Sequence, residues 1–326
     1  MRRRDFMTLL GGAAAAWPLA ARAQQSMPVI GFLHVTSLES AADRLRAFRQ
    51  GLKEIGFVEG ENVAFEHRTA EDRLDRLPEL ASQLLHRPLA IIAASSIGAA
   101  SASKAATTTI PVVFIIGDDP VRLGLVGSLS RPGGNLTGVN FFSVELAAKR
   151  LELLREVAPA ANRIAVLVNR ANSANTDIVL RDLETATGGG ALQIRVLHAS
   201  TSGEIDVAFA SLARERVDAI YVGSGPPFSA RPVQVALQGA RSGLPIIYPS
   251  RNFAEAGGLM SYGASLADAY RQAGIYAGRI LKGAKPADLP VVQATRFELV
   301  INAQTARMLG IAIPPTLLAR ADEVIE

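Results

Sequence analysis

The chain has 326 residues, 34 basic against 30 acidic, no cysteine, and 49% apolar residues. That length is too great for one ordinary domain and suits two, each with its own core, while the moderate charge and apolar content exclude wholesale disorder, a coiled coil and a collagen-like chain. Without cysteine there is no disulfide, no thiolate nucleophile, no Cys-ligated zinc or iron–sulfur cluster, and no lipid-modified N-terminal Cys.

Residues 1–23 read as an export signal. Arg2-Arg3-Arg4-Asp5-Phe6-Met7 precedes an apolar stretch from Leu9 to Ala21, and Ala21-Arg22-Ala23 is a small-x-small cleavage site. Arg3-Arg4-Asp5-Phe6-Met7 resembles the twin-arginine export signature, the alternative being an ordinary general-secretory signal. The apolar run is shorter than the roughly 20 residues needed to span a bilayer. This segment holds four of the basic residues and one of the acidic, which leaves 30 against 29 in the remainder. The basic excess therefore belongs largely to the signal, and no clustered basic footprint for a nucleic acid remains. The expected location is the periplasm.

From Val29 onward, short apolar runs alternate with longer amphipathic stretches. Val29–Val35, Val63–His67, Ala90–Ala94 and Val112–Ile116 read as strands. Between them Leu45, Phe48, Leu52 and Ile55, then Leu77, Leu80, Leu84 and Leu85, fall at helical spacing. Thr137–Phe142 is a strand-like bridge, after which the pattern restarts: a helix over Leu146–Val157, strands at Ile164–Val168, Gln193–Leu197, Ala219–Val222 and Ile246–Tyr248, and helices over Val179–Thr187 and Ile205–Arg216. Gly188-Gly189-Gly190 reads as a helix stop. The last 70 residues give a strand at Leu259–Tyr262, a helix through Tyr270, Ala273, Ala277, Ile280 and Leu281 that stops near Gly283, a strand at Phe297–Ile301, and a short helix through Ala306 and Leu309.

Strand–helix–strand repetition with nearly all-apolar strands predicts parallel sheets covered on both faces. The expected fold class is α/β, two doubly wound parallel-sheet lobes joined by a multi-strand hinge. Residues 24–141 and 262–293 would form the N-terminal lobe, and residues 142–261 and 294–326 the C-terminal lobe. Crossings are expected near Asn140–Ser143, Ser261–Gly263 and Ala294–Phe297.

Most motifs that invite a chemical reading lack its context. Gly223-Ser-Gly-Pro-Pro-Phe228 begins like a dinucleotide fingerprint, but prolines occupy the turn and the third glycine is absent. Arg131-Pro-Gly-Gly-Asn-Leu-Thr-Gly138 is a turn leading into a strand, and no phosphate loop or Gly-x-Ser-x-Gly elbow occurs. His34, His67, His86 and His198 are far apart in sequence and read as strand-end or surface residues, so no metal site and no cofactor is expected, and no catalytic residue is assigned.

The polar residues at the C-terminal ends of the strands are more informative, because open parallel sheets take ligands there. In the first lobe these are Thr36 and Ser37, Ser95 and Ser96, and Asp118 and Asp119. In the second they are Asn169, Asn172, Ser173 and Asn175, the stretch Gly223–Phe228, and Tyr248 with Ser250. Ser96 opens a helix, where it either marks an anion site or serves as a plain N-cap. Asp118 or Asp119 either holds a ligand amine or caps the turn at Pro120. Tyr248 and Phe228 are candidates for an apolar wall, with core packing the alternative for Phe228.

Several longer stretches carry a family resemblance: Gly51-Leu-Lys-Glu-Ile-Gly-Phe-Val-Glu-Gly-Glu-Asn62, Asp119-Pro120, Arg131–Gly138, Gly257-Gly-Leu-Met-Ser-Tyr-Gly263, Lys282-Gly-Ala-Lys-Pro-Ala-Asp-Leu-Pro290, Phe297-Glu-Leu-Val-Ile-Asn302 and Ala319-Arg-Ala-Asp-Glu-Val-Ile-Glu326. In this order they resemble the substrate-binding proteins of ABC transporters, in the group related to tryptophan- and tyrosine-binding lipoproteins. The resemblance implies a type I periplasmic-binding-protein fold that closes on a small solute and delivers it to an ABC permease and its ATPase. It implies ligand contacts at Thr36–Ser37, Ser95–Ser96 and Asp118–Asp119. Amino-acid-binding relatives also carry an acid in the loop after the third strand of the second lobe, where this chain has Gly223-Ser-Gly-Pro-Pro and none.

The function expected is thus a periplasmic solute receptor, a monomer, for a small carboxylate-bearing ligand. The contact set is Thr36, Ser37, Ser95, Ser96, Asp118, Asn169, Ser173, Tyr248 and Ser250. The alternatives are a ligand-sensing subunit of a signalling system and a secreted hydrolase or isomerase on the same scaffold.

Overall fold

The computed structural model describes residues 27–71, 73–141, 146–169, 173–186, 192–212 and 214–326. Residues 1–23, read above as an export signal, lie outside these, as do Asn172, the three-glycine run and the side chains of Ser173 and Asn175.

The first sheet is built from β1 (Val29–His34), β2 (Ala64–Thr69), β3 (Ile91–Ala94), β4 (Val112–Ile116), β5 (Leu136–Asn140) and the late strand β11 (Val292–Gln293). Its order is β11-β5-β4-β3-β1-β2, with every pairing parallel. Alternate residues of each strand feed different cores: Ile30, Phe32, Ile91 and Ala93 face one layer, while Leu33, Ile92 and Ala94 face the other. That two-sided burial is why these strands are nearly all-apolar runs. Helix α1 (Ala42–Glu54) covers the first face, and α2 (Leu77–Leu84) and α3 (Ile97–Ala106) cover the second.

The second sheet contains β6 (Arg163–Val168), β7 (Gln193–His198), β8 (Ala219–Val222), β9 (Ile246–Tyr248), β10 (Met260–Ala264), β12 (Phe297–Asn302) and β13 (Glu323–Ile325), in the order β13-β12-β10-β9-β8-β6-β7. The β10–β12 pairing is antiparallel, so β12 and β13 run against the rest. The helices of this lobe are α4 (Ala147–Val157), α5 (Ser173–Ala186), α6 (Ser202–Leu212), α7 (Pro226–Ser229), α8 (Pro232–Ser242) and α9 (Arg251–Glu255), and one continuous core joins them to the sheet.

Helix α10 (Leu266–Leu281) follows β10 of the second sheet yet packs on α1 of the first lobe. Gly51 and Gly274 make this close approach possible: a Cβ on Gly51 would sit 1.9 Å from the Arg271 carbonyl oxygen, and one on Gly274 would sit 2.1 Å from that of Phe48. Two shorter helices, α11 (Ala303–Met308) and α12 (Pro315–Leu318), lie between β12 and β13. The chain thus passes between the sheets after β5, after β10 and after β11. Backbone bonds from Ser265 N to Arg296 O (2.9 Å) and from Ala294 N to Asn140 O (2.8 Å) tie these segments together. Because β10 pairs through Ala264 with β12, the second crossing falls at Ser265, past the expected Gly263.

Candidate functional site

In the first sheet β1 is flanked by β2 and β3, and in the second β6 is flanked by β7 and β8. Each winding therefore reverses beside its first strand, and the crevice there is where such sheets hold ligands.

Much of the polar chemistry at the first-lobe strand ends is engaged locally. Ser96 Oγ accepts the Ala99 N–H at 3.1 Å and is the N-cap of α3. Ser95 Oγ donates to the Leu33 carbonyl at 3.1 Å. Ser37 Oγ bonds Ser40 Oγ at 3.1 Å and accepts the Ser40 N–H, closing a turn before α1. Thr36 Oγ1 receives Arg44 at 3.5 Å. Asp119 Oδ1 accepts the N–H groups of Val121 and Arg122, so Asp119 is the turn cap at Pro120. Asp118, two residues past the end of β4, is only 7% exposed, and the last residue of β4, Ile116, pairs with the buried Asn140 that ends β5.

Beneath the loop after β1 lies an aromatic layer. His34 stacks on Phe32 with centroids 4.2 Å apart, and its Nε2 is 3.2 Å from Nδ1 of His67. Phe65 stacks on His67, and Tyr270 stacks beyond Phe32. The guanidinium groups of Arg49 and Arg44 cover the outer rings, Phe65 and Tyr270. The two histidines, far apart in sequence, are thus neighbours, and His34 is buried instead of lying at a surface. Burial, then the neighbouring His67, Arg44 and Arg49, push the His34 pKa down to about 3. Burial and Arg49 lower that of His67, against the pull of Glu59 and Glu66.

At the second-lobe strand ends, Asn169 Oδ1 accepts the Ser200 hydroxyl at 3.0 Å and its carbonyl accepts that of Thr176. Ser250 Oγ donates to Asn252 Oδ1 at 2.6 Å. Arg251 bonds Glu255 (2.8 Å), Glu298 (3.2 Å) and Glu323 (2.6 Å). Burial works against its charge, but these three carboxylates outweigh it and raise its pKa. Tyr248 does not form a crevice wall. Its ring is fully buried in the core, stacked on Phe253 and pressed against Gly239 and Gly258, because the pleat of β9 points it inward. Phe228 is likewise a core residue.

The sequence reading missed Arg150. It lies in the first turns of α4, is 1% exposed, and extends over the ring of Tyr221 at 5.4 Å toward Ser224 Oγ at 3.5 Å. A signal existed: Arg150 falls on the same helical stripe as Ala147, Leu151 and Leu154, all core residues.

Among the described residues, no group of three or more His, Cys, Asp or Glu side chains is placed to hold a metal, and no helix is long and apolar enough to cross a membrane.

Comparison with known proteins gives a consistent picture. The family profile described as ABC transporter substrate binding protein matches residues 29–325. A tyrosine-binding protein of Clostridioides difficile is 27% identical over 281 residues, covering 86% of this chain and 80% of that protein. The structure of an ABC domain from Streptococcus pneumonia in complex with L-Trp superposes with a TM-score of 0.82 at 27% identity, over 92% of this chain and all of that one. A ligand-free, open substrate binding protein with adhesive properties from Clostridium difficile gives 0.69 at 25% identity, over 91% and 99%.

Proposed function

This chain belongs to the ABC transporter substrate-binding proteins, and we propose that it is the periplasmic receptor of an importer, a monomer that closes two lobes on a small carboxylate-bearing solute and delivers it to a membrane permease and its ATPase. Members of this family are solute-binding proteins and not enzymes. The observation that carries the reading is the pair of wound sheets, each reversing beside its first strand, with the chain passing between them after β5, β10 and β11. Such reversals open a crevice at the strand ends of each sheet, and a ligand that touches both lobes favours the closed state by its differential affinity.

An amino acid or aromatic acid is the ligand class we infer. Two relatives are named for tyrosine or hold L-Trp, and the fold matches the L-Trp complex better than the open, ligand-free receptor. Asp118 would take a ligand amine, with Thr36, Asn169 and Ser250 as further polar contacts; the hydroxyls of Ser37, Ser95 and Ser96 serve the backbone turns and caps that shape their loops. Export by the twin-arginine route is part of this reading, and cell fractionation that leaves the protein in the cytoplasm would overturn it.

A thermal-shift screen of the purified protein tests the ligand class. At 100 times its dissociation constant a ligand adds about 2.7 kcal/mol, and roughly 2–4 °C per kcal/mol makes that visible. Carboxylates should raise the melting point; a rise with neutral sugars and with no carboxylate would reject the proposal. Asp118→Ala should weaken amino acids at least tenfold more than the matching amine-free acids, and equal weakening would reduce Asp118 to a structural role.

A further inference from the structure

Of the five tyrosines in the chain, four are buried and only Tyr262 is partly exposed. Among the described residues four phenylalanines share that state: Phe57, Phe65, Phe141 and Phe297. Phe57 belongs to the turn after α1, and Phe65 lies under Arg49 on the edge strand β2. The other three rings each stand at one passage between the lobes. Phe141 follows β5, Tyr262 lies near the end of β10, and Phe297 begins β12. Exposed rings are thus gathered where the two lobes share a boundary.

The exposure of Tyr262 follows from where its neighbours stop. Strand β9 makes its last pair with β10 at Tyr248 and Ser261. Beyond that pair the chain runs over the Gly263 side of β10, where a Cβ on Gly263 would sit 2.0 Å from the Pro249 carbonyl oxygen. Tyr262 points to the opposite face of the strand, so this segment leaves its ring uncovered. On that face β12 supplies the neighbour. Ala264 pairs with Phe297 and Tyr262 with Leu299, and the rings of Tyr262 and Phe297 lie 6.3 Å apart, tilted by 32°. The inner side of Tyr262 rests on the second-lobe core. Phe141 stands on the other side of the junction, packed on the first-lobe core. Asn140 before it accepts the N–H of Ala294, three residues ahead of Phe297.

We propose that Tyr262 and Phe297, extended into the first lobe by Phe141, form a ring-binding wall at the junction of the lobes, so that the crevice selects solutes that carry an aromatic ring. Rings pair best offset or edge-on with centroids about 4.5–7 Å apart, and an aromatic solute would add a third ring to the Tyr262–Phe297 pair. This rests on the receptor reading and narrows its ligand class to aromatic acids, with or without an amine. The solute ring would lie at the junction and its polar end at the strand ends, so closing the lobes buries the ring from both sides.

The test is calorimetric titration of L-tyrosine, L-tryptophan and 4-hydroxybenzoate against the non-aromatic L-leucine and cyclohexanecarboxylate, with wild type, Tyr262→Leu, Phe297→Leu and Tyr262→Phe. Wild type should bind its best aromatic acid about 30-fold more tightly than the non-aromatic counterpart. Each Leu variant should weaken the aromatic acid about tenfold and the non-aromatic one less than about threefold. Tyr262→Phe keeps the ring and should stay within about threefold of wild type. An unchanged aromatic-to-aliphatic ratio in either Leu variant overturns the wall alone. So does a wild type that prefers the non-aromatic acids or binds none of the aromatic ones. Should the Leu variants melt before titration, nitration of wild type by tetranitromethane decides, because Tyr262 is the only partly exposed tyrosine. Saturating aromatic ligand should slow nitration of Tyr262 severalfold, and an unchanged rate overturns the wall. Wild type that responds to neutral sugars and to no carboxylate overturns the receptor's ligand class, and the wall with it.

Discussion

Both lobes wind in the same order around β1 and β6, yet they use their strand ends differently. In the first lobe, Ser95, Ser96, Ser37 and Asp119 hold their own backbone, and the floor beneath is a stack of rings containing two neighbouring histidines. In the second, the Arg150 guanidinium of α4 lies over the Tyr221 ring beside Ser224. A row of hydroxyls at strand ends is therefore weak grounds for a ligand contact, because short polar side chains there compete to cap helices and turns. The first lobe gains rigid loops by this arrangement, whereas in the second Asn169 Oδ1 accepts the Ser200 hydroxyl and Ser250 Oγ donates to the Asn252 side chain.

The strongest way to break the contrast is to loosen the first lobe where the late helix α10 fastens to it. Gly274→Ala would drive a Cβ to within 2.1 Å of the Phe48 carbonyl oxygen and 3.0 Å of the Leu52 nitrogen. Both are backbone atoms, so no rotamer can relieve the clash and the helices must part. We expect a loss of about 3 kcal/mol, the upper range for overpacking, seen as a lower urea midpoint. An unchanged midpoint would mean that α1 and α10 do not meet at this glycine pair.

These packing rules also explain what could be read in advance. Runs such as Val112–Ile116 and Ala219–Val222 are legible as strands because burial on both faces leaves no polar alternation. Strand direction is not written in composition, so the reversed β12 and the short β13 emerge only from pairing. Helix α8 was not legible because Val233 and Leu237 are exposed opposite the buried Val235, Ala236 and Gly239, which blurs its apolar stripe. Of the candidate site residues, Asp118 and Asn169 lie just past strand ends, where the strand-end rule places them, whereas Tyr248 obeys the pleat and turns inward. Arg150 escaped because arginine is ordinarily counted as solvent face, although its position on the stripe of α4 says otherwise.

A second test uses pH, and it should act on the first lobe. His34 titrates near 3 when folded and near 6.5 when unfolded, and the His67 pKa is lowered as well. Below about 6.5 the unfolded chain binds protons that the folded chain refuses. The stability these groups contribute is therefore complete above that pH and falls as the pH drops toward 3. Each group contributes up to about 1.4 kcal/mol per pH unit, or roughly 2 kcal/mol for His34 between pH 6.5 and 5. Denaturation midpoints should decline over that interval, and His34→Asn should flatten the decline by about half or more. An unaltered slope would show that the pair is not held neutral by the folded protein.

The smallest expected effect separates a serine that caps from one that does not. Ser96 and Ser250 both occupy N-cap positions after a strand of a parallel pair, with extended backbone. Only Ser96 closes its helix, accepting the Ala99 N–H, whereas the Ser250 hydroxyl turns to the Asn252 side chain and caps nothing. Ser96→Ala should therefore cost about 1 kcal/mol, the usual loss of a serine cap, and Ser250→Ala only a few tenths. Binding should reverse the order if the second lobe keeps its polar groups for the crevice. Ser250→Ala should weaken a bound carboxylate severalfold in a titration that Ser96→Ala barely changes once its stability loss is accounted for. Equal destabilisation by the two variants would mean that both serines are caps, and the difference between the lobes would not extend to this pair.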